Sequence, residues 1–119
     1  MKDYIERIIE TSRECIRFPS VEGESEPGYP FGRAVGECLE HFLGTAESFG
    51  FETHNYDNYI GEVVFGCGED FAILAHLDVV PAGDGWHYPP FDALMNDDVS
   101  AGGKQTKANF VSCKRLPKR

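Results

Sequence analysis

Two residues of this chain have the types and spacing to do chemistry together: His76 and Asp78, in the run LAHLDVVPAGDGWHYPPF at positions 74 to 91. Imidazole is a good zinc ligand, and a ligating His commonly passes its other ring N–H to a carboxylate that fixes tautomer and orientation. Residues two apart in an extended segment point to the same side. His76 on a metal, with Asp78 behind it or near its water, is therefore one reading. A half-buried His satisfied by its neighbour is the other, because a lone His-x-Asp is a weak signal. Its context is specific: the pair ends the apolar run FAILA and precedes a loop dense in Pro and Gly.

The elements that must position this pair follow from periodicity. Ile5, Ile8, Ile9, Cys15 and Ile16 recur at helical spacings with charges between them, which predicts an amphipathic helix with one buried stripe, stopped by Pro19. SVEGESEPGYPFG reads as a loop. A second helix carries Val35, Leu39, Phe42, Leu43, Ala46 and Phe49 on one face, with Gly50 as its C-terminal stop. FETHNYD and YIGEVVFG have strand composition, and FAILAHLDVV, apolar on both faces, is expected as a strand inside a covered sheet. The fold class is α/β, with two helices and a partial, mainly buried sheet. Ligands in such folds gather beyond the carboxyl ends of central strands, where His76 and Asp78 fall.

At 119 residues there is room for one domain with a modest core. A net charge of −9 excludes the clustered basic surface of a nucleic-acid binder. No stretch approaches the roughly 20 apolar residues of a membrane helix, and MKDYIERIIE is not a signal peptide, so a cytoplasmic protein is expected. Cys15, Cys38, Cys67 and Cys113 form no CxxC pair and read as reduced, mostly structural thiols. Charge divides the chain: residues 1 to 93 hold 5 Lys and Arg against 18 Asp and Glu, whereas 94 to 119 hold 6 against 2. The first region is expected to be the structured one, and 94 to 119 an irregular basic tail.

LAHLDVVPAGDGWHYPPFDA resembles the first metal-binding motif of the zinc-dependent peptidase family that holds dipeptidases, aminoacylases, carboxypeptidases and desuccinylases. The resemblance is strongest to bacterial dipeptidases of the Xaa-His (carnosinase-like) type. IRFPSVEGES and PFGRAVGECLEHFLGTAESFGFETHNYDNYIGEVVFG agree with that branch in order and character, so the resemblance covers residues 1 to about 93. It implies the N-terminal portion of a metallopeptidase catalytic domain acting on dipeptides or small acyl-amino acids. It also implies a centre of two zinc ions, which activate the attacking water, and a separate Glu as base. His76 matches the first metal-ligand position, and Asp78 matches the catalytic carboxylate that supports it.

Beyond Ala93 the resemblance stops. The family would continue with Gly-Arg-Gly and a bridging Asp, then a Glu-Glu pair, another acidic ligand and a distal His. Here Asp97 and Asp98 come too early, reading instead as a solvated turn, and no Glu follows Glu69. A truncated member, inactive alone and at most a weak zinc binder, is the expectation. Reading codons from Asp97 onward two bases later allows Arg-Leu-x-Gly-Arg-x-Thr-Asp-Lys-Gly by synonymous choice, which points to a frameshift near Met95 testable in the gene.

Among other residues, Trp86, Pro89, Pro90 and Phe91 read as a packed, rigid loop, with Gly83 and Gly85 at tight turns. His41 and His54 read as surface residues, and His87 as at most an adventitious second ligand. KRLPKR reads as a solvated basic run. Two alternatives to a dipeptidase remain: a desuccinylase or aminoacylase of the same family, or a non-catalytic module that self-associates through an unpaired sheet edge.

Overall fold

A computed structural model describes residues 2–86 and 88–94. Of the expected second region, only Leu94 is among them. Asp97, Asp98, Cys113, the KRLPKR end and His87 lie outside the described residues.

Helix α1 spans Lys2–Ile16 and α2 spans Arg33–Ser48; β1 (Glu52–Tyr56) and β2 (Ile60–Val64) follow. Both helices match their predicted periodicity. α1 ends three residues before Pro19, and α2 closes at Phe49, with Gly50 at φ 89° in the left-handed region that favours glycine. α2 buries Gly36, Cys38, Leu43 and Ala46. The stripe expected to be buried on α1 is not: Ile5 and Ile8 are both exposed. That helix packs through its last turns, where Ser12 to Ile16 are half-buried; in its first two turns Arg7 lies over the Phe49 ring, while Tyr4, Ile5 and Ile8 stay exposed.

β1 and β2 form a two-stranded antiparallel sheet in the register Glu52↔Val64 to Tyr56↔Ile60. Its turn passes through Asp57 and Asn58, both with positive φ, a conformation that short polar side chains tolerate. Asn58 ties the tip down: its side-chain amide donates to the Gly28 carbonyl and to Glu40 of α2, both at 2.9 Å. The sheet lies on α2 with little clearance. A Cβ at Gly61 would meet Leu39 Cδ1 at 2.6 Å and Leu43 Cδ2 at 3.1 Å.

The mainly buried sheet is the expectation that fails. β1 and β2 are exposed along most of their length, and residues 71 to 80 form no strand beyond an isolated parallel bridge, Val21↔Val79. Phe71 is 84% exposed and Leu74 87%. A strand apolar on both faces needs neighbours on both edges and layers on both sides. Among the described residues the run has only the single Val21↔Val79 bridge on one edge, and a continuous apolar run cannot build the rest by itself. The described architecture is a small α/β unit of two helices and a hairpin. No helix among the described residues is long and apolar enough to cross a membrane.

Candidate metal-binding corner

The segment carrying His76 and Asp78 is held from one side. After α1 the chain turns through Phe18, Pro19 and Ser20 with two short backbone hydrogen bonds, Ser20 N–H to Phe18 O at 2.8 Å and Val21 N–H to Pro19 O at 2.7 Å. The turn stands against α2, where the Phe18 and His41 rings lie 5.0 Å apart. From there Ser20 reaches the motif segment. Its hydroxyl donates to the Leu77 carbonyl at 2.8 Å, and its own carbonyl accepts the Val79 N–H at 2.9 Å. Farther along, Arg13 Nε of α1 donates to the Ala93 carbonyl at 2.9 Å, anchoring the end of the Pro- and Gly-rich loop.

From residue 76 to 79 exposure alternates: His76 and Asp78 are exposed, Leu77 is half-buried and Val79 is buried. This is the two-residue alternation expected of the motif, and it puts the His76 and Asp78 side chains on one side. His76 Nδ1 lies 2.9 Å from the Asp78 carbonyl oxygen and 3.3 Å from its carboxylate Oδ1. Both neighbours are acceptors, so the arrangement favours the tautomer with the proton on Nδ1 and leaves the Nε2 lone pair available. Nε2 has no partner among the described residues. The pair forms one wall of an apolar groove of about 970 Å³, lined also by Leu39, Phe42, Ile60 and Phe71.

Catalytic zinc is ordinarily held by three protein donors and a water. Among the described residues no group of three or more His, Cys, Asp or Glu side chains could hold a metal ion. They therefore do not by themselves fit the two-zinc centre implied by the resemblance. They bring together one imidazole with the carbonyl and carboxylate of Asp78.

The other residues that the sequence singles out divide. Trp86 is half-buried, with its indole N–H on the Ala82 carbonyl at 2.9 Å, and Gly83 and Gly85 have positive φ, so the loop is built by packing and turns. His54 is exposed beside Glu52, as expected. His41 is not a surface residue: it is half-buried against Phe18, with Nε2 3.3 Å from Glu14 of α1 but not aligned for a hydrogen bond. Ser20, the residue that grips the motif, carries no signal in the sequence, because its partner is 57 positions away and no local pattern reports that contact.

The chain is similar to bacterial dipeptidases. It is 40% identical over 102 residues to the Bacillus subtilis protein named "Putative dipeptidase YtjP", covering 82% of this chain and 22% of the relative. It is 37% identical over 105 residues to the Beta-Ala-Xaa dipeptidase of Lactobacillus delbrueckii subsp. lactis, covering 87% and 21% respectively. A Staphylococcus epidermidis relative, also named a putative dipeptidase, is 34% identical over 100 residues, covering 82% and 21%. The chain thus spans about a fifth of the length of the curated relatives it matches. No family model matches it.

Proposed function

We propose that this chain carries the first metal-binding corner of a zinc-dependent dipeptidase, with His76 as a ligand through Nε2 and Asp78 as the carboxylate that holds its ring. The observation that carries the proposal is the double approach of His76 Nδ1 to Asp78, which leaves Nε2 outward and able to bind a metal. Similarity to proteins named as dipeptidases, one of them a Beta-Ala-Xaa dipeptidase, supports a dipeptide as the substrate class. The described residues contribute orientation of one imidazole. They include no group of three or more possible ligands, and no Glu follows Glu69 in the sequence, so the 119-residue chain is expected to bind zinc weakly and not to turn over dipeptides alone.

Zinc titration by calorimetry, with metal analysis, tests this. Weak binding should be abolished in His76→Ala and reduced by about 10–100-fold in Asp78→Ala, the usual effect of removing a partner that orients a ligand. Binding that survives His76→Ala unchanged would sink the assignment. Hydrolysis of β-alanyl dipeptides by the isolated chain with added zinc would show that residues 95–119 or a second chain complete the centre.

A second reading, a module that associates through its uncovered edge, is favoured by the exposure of Phe71, Ile73 and Leu74. Mass that rises with concentration would support it, and a monomer at high concentration would remove it.

A further inference from the structure

Ser20, 3% exposed, is the only buried polar or charged residue among those described. All three of its hydrogen-bonding groups are used. The N–H closes the turn onto Phe18, the hydroxyl donates to Leu77 O, and the carbonyl accepts from Val79 N–H. The last two bonds fall on either side of Asp78, and the first of those grips the residue between Asp78 and His76.

We propose that Ser20 is a positioning residue for the His76–Asp78 pair. The Leu77 carbonyl belongs to the peptide unit joining Leu77 to Asp78, and the Val79 N–H belongs to the unit joining Asp78 to Val79. Holding both peptide planes fixes the backbone torsions of Asp78 and therefore the directions of its carbonyl and carboxylate, the two groups that meet His76 Nδ1. Without these bonds the segment has little to restrain it: residues 71 to 76 are exposed and outside any strand, and free torsions sample many conformations. The Ser20 turn is itself held through Phe18 against His41 of α2. A line of contact thus runs from the packed helix to the imidazole. The role rests on the metal-binding reading for its purpose, although its geometry stands independently.

The test uses the metal-free 119-residue chain at a pH where imidazole is neutral, reading the His76 tautomer from ring ¹⁵N shifts. The wild-type chain should hold the proton mainly on Nδ1. Ser20→Ala should lower that share, and Ser20→Thr, which keeps the hydroxyl, should restore it. Zinc affinity should follow, falling about tenfold in Ser20→Ala, the lower end of the effect of an orienting partner, and recovering in Ser20→Thr. An unchanged tautomer ratio in folded Ser20→Ala overturns the proposal. Should that variant not fold, hydrogen exchange in the wild-type chain decides. The Val79 N–H must exchange at least about tenfold more slowly than the Val80 N–H, and equal rates overturn the clamp. A tautomer shift in Ser20→Ala in a chain that binds no zinc would support the clamp and defeat only the metal reading.

Discussion

Residues 17 to 66 are less rich in apolar side chains than residues 67 to 86, yet Cys38, Leu43 and Ala46, three of the four buried apolar side chains among the described residues, lie in the first region. In the first, loop, α2 and hairpin interlock: Arg33 pairs with Glu26 at 3.2 Å and lies over the Tyr29 ring, Asn58 bridges the hairpin tip to α2, and Gly61 admits Leu39 and Leu43. In the second, Phe71 and Leu74 face solvent, and order is concentrated where Ser20 holds Leu77 and Val79. Burial is thus a property of having a partner rather than of being apolar. The His76–Asp78 pair lies in the poorly packed region, and one buried hydrogen-bonding residue, Ser20, reaches the segment that carries it.

The largest effect that would sharpen this contrast is expected at Leu43, 5% exposed in the small core between α2 and the hairpin. Leu43→Ala should lower unfolding free energy by about 2–5 kcal/mol, through lost apolar burial and the cavity left behind. Urea denaturation with an unchanged m-value measures it. A loss below about 1 kcal/mol would mean that the first region is no better packed than the second. Gly61→Ala should follow at about 1–3 kcal/mol, because the new methyl group would intrude on Leu39 and Leu43. A neutral result there would show that the hairpin can lift off the helix without loss.

Much of the first region was legible in the sequence, for a physical reason. Helix periodicity, a glycine after the last turn and the strand composition of FETHNYD and YIGEVVFG are local signals, and local geometry satisfies them. The pairing of His76 with Asp78 was legible in the same way, since residues two apart meet wherever a chain alternates sides. FAILAHLDVV was misleading because its apolar pattern reports an environment, a sheet covered on both faces, that the described residues do not create. Ser20 was invisible for the converse reason. A serine after a proline looks like any loop residue until the fold brings Leu77 to it. Its role comes from a long-range contact, as does the partial burial of His41 between Phe18 and Glu14.

Leu74 offers the complementary test. At 87% exposure it should tolerate Leu74→Lys with a stability change within about 0.5 kcal/mol, the usual range for an exposed position making no special contact. The charge should also reduce any association through this edge. Destabilisation well beyond that range would reveal a covering partner in solution and erase the contrast between the two regions.

The smallest predicted effect concerns whether exposure alone separates them. Tyr56 and Glu62 lie on the solvent side of the hairpin, diagonal neighbours in a register that sets His54 opposite Glu62, and the Tyr56 hydroxyl donates to Glu62 Oε2 at 2.8 Å. That hydrogen bond, followed by the negative charge of Glu62 and slight desolvation, raises the Tyr56 pKa above its ordinary value of 10.0. Ionising the phenol would remove the donated proton and place two negative charges together. Since the folded pKa lies above the unfolded one, the stabilisation from this pair is fully present below about pH 10 and is lost as pH rises through the folded-state value. NMR titration of Tyr56 should show its midpoint falling toward the ordinary value in Glu62→Ala, and falling less in Glu62→Gln, which keeps an acceptor but not the charge. An unchanged midpoint in Glu62→Ala would mean that the outer face of the hairpin is as loosely arranged as Phe71 to Ala75. Order in this chain would then follow depth of burial alone. A shift would show instead that strand register imposes specific contacts even in full contact with water, whereas the second region relies on the Ser20 anchor and the Trp86–Ala82 hydrogen bond.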